Sequence, residues 1–221
     1  MELYDVLHTT FAAREFTAPI LCPTRSWRRS STRRASRRAA EPTGLARDRH
    51  PRPATKRALA DLSAFAGRRY AAQAANGESP WNTIDPPRVD AATIERTVVP
   101  SRLTESIATA PVVLVLCVDL KVVASIDQDL ERVGIISGAS IYPFAWNVLL
   151  ASRHEGFGGT ITTLATAREP EIKALLGIPP HIAVCAVMPL GRPVRSLSRL
   201  KRKPVAEFTK RERWDGPPFA P

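Results

Sequence analysis

Cysteine is scarce and poorly placed for a framework. Cys22, Cys117 and Cys185 contain no C-x-x-C pair and leave one thiol over, which excludes a disulfide-stapled scaffold. Cys117 and Cys185 fall inside apolar runs, the usual setting of a buried reduced thiol, so a cytoplasmic compartment is expected. His8, His50, His154 and His181 form no H-E-x-x-H and join no Cys/His cluster, so no metal site is expected. Also missing are G-x-S-x-G, a P-loop and a G-x-G-x-x-G after a strand. No catalytic residue is nominated, and no carboxylate pair stands out. There is no internal repeat. The N-terminal stretch MELYDVLHTT is acidic and amphipathic, without the apolar centre of a secretory signal.

A chain of 221 residues suits one domain, here residues 1–221. Its formal charge of +11 is confined to one place. Leu21–Pro53 holds ten arginines (25, 28, 29, 33, 34, 37, 38, 47, 49 and 52) against Glu41 and Asp48, a net +8. The remainder is ordinary. This segment has few aliphatic residues and no helical or strand period, so its composition is that of an irregular or disordered run. Two further readings stand beside disorder: an arginine-rich arm for nucleic acid, and a run translated out of frame. With GC-rich codons, Ser31–Ala40 shifted by two nucleotides can read Asp-Thr-Ala-Arg-Phe-Ala-Pro-Ser-Gly-Gly. Pro42–His50 shifted by one can read Arg-Gln-Gly-Trp-Arg-Val-Ile-Val-Ile. A helix end, a glycine loop and a buried strand then follow in order, and this reading is favoured over the basic arm.

The rest of the chain is regularly patterned. Glu2–Thr10 reads as a short amphipathic helix. Ala54–Asn76 reads as a longer one, with Leu59, Leu62, Phe65, Ala66 and Tyr70 near helical spacing. Gly77–Pro100 reads as a surface loop with a short helical piece. Ala110–Asp119 and His181–Leu190 are Val/Leu/Ile-rich runs expected as buried strands. Glu169–Leu176 has Pro170 in its first turn and Gly177 past its end, the asymmetry of a helix.

The stretch Val133–Leu164 is expected to organise the fold. It opens with twenty uncharged residues, Val133–Ser152, whose apolar side chains fall on every side of a helix, so a helix buried all round is expected, kinked at Pro143. A core helix, a subunit interface and a membrane span are the three possibilities. The span is disfavoured because Ser137, Ser140, Asn147, Ser152, Gly134, Gly138 and Pro143 dilute the run before Arg153-His154-Glu155. After it, Glu155-Gly-Phe-Gly-Gly-Thr160 brings backbone close to a flat or anionic ligand, and Thr160–Leu164 reads as a strand. Arg14 near one end of the chain, and Arg202 and Lys203 near the other, could neutralise a phosphate. Any chemistry would then come from a cofactor.

Tyr4–Thr17 (YDVLHTTFAAREFT), GASIYPFAWNVLLASRHEGFGGTITTL and EPEIKALLGIPPHIAVCAVMPLGRP together resemble the nitroreductase family of flavin enzymes. KRKPVAEF and RWDG resemble that family's C-terminal R-x-P segment and tail. The shifted reading of residues 31–50 resembles its flavin-binding loop. The resemblance implies an α+β fold, a mostly antiparallel sheet wrapped by helices with a long buried central helix, in an intimate homodimer with FMN at the interface. It implies hydride transfer from NAD(P)H through FMN to a nitroaromatic, a quinone or a similar small acceptor. By position, Arg14 and Arg202, with Lys203, would contact the FMN phosphate. Glu155, Gly156, Gly158 and Gly159 would lie near the isoalloxazine ring. Residues 205–221 would form a C-terminal arm. Two departures count against full function: Thr10-Phe11 stand where many members have Arg-Arg or Arg-His, and the Ser-Gly-Gly-Asn-Arg loop is absent. This chain is therefore expected to bind FMN weakly or not at all. The alternatives are a non-catalytic relic and a nucleic-acid binder acting through residues 21–53.

Overall fold

A computed structural model describes residues 2–17, 53–198 and 200–219. The arginine-rich run, with its nucleic-acid and out-of-frame readings, lies outside the described residues as far as Arg52.

Helix α1 spans Leu3–Thr9 and α2 spans Pro53–Ala75. Alanine dominates α2, and alanine loses no side-chain entropy on entering a helix. The helix buries a narrow stripe of Leu59, Ala60, Ser63, Ala66 and Gly67. Phe65 and Tyr70, expected on that stripe, stand on the outside. Small residues win the inner face because neighbours come close: a β-carbon at Gly67 would meet Val99 Cγ1 at 2.9 Å. Helices α3 (Ala91–Arg96) and α4 (Ser101–Thr109) follow, with the Asp90 side chain accepting the Thr93 N–H at the start of α3. Lys56 Nζ on α2 donates to the Ala110 carbonyl just past α4 at 2.8 Å, which ties the two helices.

Strand β1 (Val112–Asp119) pairs antiparallel with β3 (Ile182–Gly191), and β2 (Gly158–Gly159) pairs with the far end of β3. The sheet order is β1-β3-β2. A bulge between Leu116 and Cys117 leaves Cys185 without an opposite residue, so Cys117 and Cys185 face different sides of the sheet. Cys117 joins Leu59, Ile107, Val115, Ile172 and Val187 under α2, α4 and α6 (Glu169–Leu176). Cys185 lies against the opposite cluster of Leu116, Ala145, Leu149, Met188 and Leu190. Both thiols are pushed up to about 11, mainly by burial. The sheet is thus covered on both faces, as its unbroken apolar strands require. Helix α6 ends as read: Gly177 adopts φ 65°, and the Ile178 N–H returns to the Lys173 carbonyl.

The central helix is shorter than the uncharged run. Helix α5 spans Ile141–His154, preceded by a 3-10 turn at Ile136–Gly138. Pro143 is its third residue, where no N–H is needed for the helix ladder, so there is no reason for a kink. Ile141, Ala145, Val148, Leu149 and Ser152 are buried, while Tyr142 and Trp146 on the other flank are exposed. Burial in the single chain is therefore one-sided. The expected strand over 160–164 is reduced to one bridge, Thr162 with Val187, followed by a 3-10 turn at Leu164–Arg168. Helix α7 (Val205–Phe208) begins the C-terminal arm.

Candidate functional site

Past α1 the chain crosses the glycine turn. Ala12 bridges Gly159, the Ala13 N–H donates to the Gly159 carbonyl at 3.0 Å, and Phe16 bridges Pro193. Glycine is required for this close approach. A β-carbon on Gly158 would lie 3.1 Å from Ala13 Cβ, and one on Gly191 would lie 2.9 Å from the Phe16 ring. Gly156 closes α5 with φ 81°, in the left-handed region open to glycine. The glycines therefore make room for the chain's own N-terminal segment, and that segment carries Arg14.

The opposite end of the chain arrives at the same place. Arg202 Nη2 donates to the Leu7 carbonyl in the last turn of α1 at 3.2 Å. Arg153 Nε, from the end of α5, donates to Thr9 Oγ1 at 3.1 Å. Two arginines thus converge on the carbonyl end of α1, the end where cations are favoured. Between these elements lies a cavity of about 490 Å³. Arg14, Lys201 and Arg202 supply its charge, and Phe11, Trp146, Leu149 and Ile161 its apolar walls. Thr10, Ala12, Thr160 and Leu200 complete the lining, with no carboxylate among them. The Thr10 hydroxyl is already committed to the Val6 carbonyl at 2.6 Å.

Of the residues picked out from the sequence, Arg14 and Arg202 share this cavity. Lys203 follows the lining segment but is not part of the wall. Glu155, Gly156, Gly158 and Gly159 do not line it either; Gly158 and Gly159 are buried against Ala13, Pro193, Pro189 and Leu190. Reading the sequence missed Lys201 and Trp146. Trp146 and Leu149 are three apart on α5, a spacing that puts two side chains on one face, but a run with no polar side gave no reason to choose that face. Among the described residues no His/Cys/Asp/Glu group could hold a metal ion, and no helix is long and apolar enough to cross a membrane.

The cavity suits a flat molecule with an anionic end, and its lining carries no acid, base or nucleophile aimed inward. Solved structures share the architecture around it. Nitroreductase A from Vibrio parahaemolyticus is 17% identical, with a TM-score of 0.60 over 97% of this chain and 78% of its own. This is the nitroreductase fold. The NADPH:FMN oxidoreductase of Vibrio harveyi, solved with NAD+, gives 19% identity and a TM-score of 0.58, over 96% of this chain and 78% of its own. Iodotyrosine deiodinase bound to FMN and 3-iodo-L-tyrosine gives 17% and 0.60, over 92% of this chain and 96% of its own. The nitroreductase fold thus carries more than one activity, and fold alone does not choose among them. No protein-family model matches the chain.

Proposed function

We propose that this chain is a nitroreductase-like, FMN-dependent oxidoreductase, working as a cytoplasmic homodimer and impaired by loss of its flavin-binding loop. One observation carries the reading: Arg14 and Arg202, from opposite ends of the chain, meet with Lys201 in a single cavity walled by aromatic and aliphatic side chains. Three cations beside apolar walls match the chemistry of a flavin mononucleotide, a flat ring joined to a phosphate dianion. Arg14 and Arg202 would hold the phosphate, because a guanidinium offers paired N–H donors to its oxygens. Phe11, Trp146 and Ile161 would exclude water. The chemistry that a bound FMN supplies is hydride transfer from NAD(P)H to a nitroaromatic, quinone or similar small acceptor. Electrostatics near the phosphate end are uniformly positive, which favours an anion and disfavours the uncharged riboflavin. The FMN-bound and NAD+-bound neighbours of the same fold support the choice of cofactor and co-substrate.

The test is binding of FMN against riboflavin, followed by flavin fluorescence, in the chain as it stands and in a version with codons 20–54 restored to the alternative frame. FMN binds the present chain weakly and the corrected chain tightly. In the corrected chain, Arg14→Ala and Arg202→Ala each weaken FMN by about 10- to 100-fold, as expected for one charge-assisted contact, and leave riboflavin unchanged. Equal binding of FMN and riboflavin, or a corrected chain that binds neither, overturns the proposal.

A further inference from the structure

The segment between β1 and α5 places much apolar surface in water. Ile126 is 85% exposed, and Leu130, Val133 and Ile135 are each more than half exposed. The loop is nevertheless built. The Asp127 carboxylate, only 5% exposed, accepts Arg132 Nη1 at 2.6 Å, the Ile135 N–H at 2.8 Å and the Ile136 N–H at 3.3 Å. One buried acid ties the loop across nine residues and turns the aliphatic side chains outward. Asp129 and Glu131 stand exposed among them.

The C-terminal arm has the opposite character. Lys210 bridges Pro218, the Arg211 guanidinium lies over the Phe219 ring at 5.6 Å, and Arg213 pairs with Asp215 at 3.0 Å. The arm is shaped by these internal contacts, yet it holds Val205, Phe208 and Trp214 outward, with Trp214 97% exposed. Lys210 and Arg213 stand exposed beside them. An acidic aliphatic loop and a basic aromatic arm, each ordered by its own bonds, lose little entropy on meeting. Apolar surface of this extent on an ordered segment marks an interaction site.

We propose that the loop at 126–136 is covered by the C-terminal arm, residues 204–219, of a second copy of this chain, and that the exchange is reciprocal about a two-fold axis. The arm follows directly on Leu200–Arg202, which lines the cavity. Docking of the arm on the partner therefore holds that lining segment in place, and the anion site is complete only in the dimer. The inference rests on the self-association included in the reading above and not on the flavin.

Sedimentation velocity on the full chain tests it, with circular dichroism confirming that each variant is folded. The parent sediments as a dimer. Asp129→Lys with Glu131→Lys, and separately Lys210→Glu with Arg213→Glu, each weaken the dimer at least about tenfold, and all four changes together recover most of the loss, as charge pairs across an interface require. As a second measurement, Ile126→Cys and Trp214→Cys chains, both carrying Cys22→Ser, are mixed and oxidised; a disulfide forms between the two different chains. A monomeric parent, a four-fold variant no better than either double variant, or a failure to cross-link between chains overturns the inference. FMN affinity that changes while the dimer is intact speaks to the flavin reading alone.

Discussion

Replacing Gly159 by alanine puts one methyl group where the structure has no room for it. The new β-carbon would lie 2.3 Å from Leu190 Cδ2 and 2.5 Å from the Pro189 carbonyl oxygen. Neither neighbour can yield cheaply. Leu190 is 1% exposed within the cluster under α5, and the carbonyl belongs to the β3 backbone, where it also accepts the Thr160 N–H. Strand β2 must lift from β3 to relieve the contact. Overpacking of this kind costs about 3 kcal/mol, and with a urea slope of about 2 kcal/mol/M the unfolding midpoint should fall by about 1.5 M. The displacement should also reach the site, because the Gly159 carbonyl holds the Ala13 N–H and so positions Phe11–Arg14. Gly158→Ala meets Ala13 Cβ at the less severe distance of 3.1 Å and should cost about 1 kcal/mol. Gly134→Ala, whose β-carbon comes no closer than 3.6 Å to Asp127 Oδ1, is the control and should change stability by less than about 0.5 kcal/mol. The assay is urea unfolding followed by circular dichroism. A Gly159→Ala midpoint within about 0.2 M of the parent would refute the claim that these glycines are there for close packing.

Three further outcomes are expected. Asp127 is held down to about 2, first by the Ile135 N–H and then by Arg132, so its contribution is present above its ordinary value near about 4 and is lost as pH falls from there towards about 2. Asp127→Asn should therefore lower the thermal midpoint at pH 5, with the gap to the parent closing towards pH 2; a gap independent of pH contradicts this. Cys117 and Cys185, both pushed up to about 11, should react with a thiol reagent at pH 8 far more slowly in the native chain than after denaturation, and equal rates count against their burial. Ile172 is fully buried beneath the sheet, and Ile172→Ala should cost about 3 kcal/mol in the same unfolding assay.

Much of the fold was legible in the sequence because its signals are local. Pro170 and Gly177 bracket α6, alanine and leucine spacing marks α2, and two unbroken apolar runs give β1 and β3. Each follows from backbone and side-chain preferences acting within a few residues. The arginines at the two ends of the chain were also legible as candidates, since a cation near a phosphate needs no particular neighbour to be suspected. What the chain order could not decide was which surfaces meet. A run without charge looks the same whether it is covered by its own chain or by a partner, so the one-sided burial of α5 and the place of Trp146 on the cavity wall emerged only from packing. The same holds for Gly158 and Gly159, whose missing side chains accommodate Ala13 and Leu190 and not a ligand. Local preference fixed the elements; the position of the cavity depended on contacts between residues far apart in the chain, which no local pattern encodes.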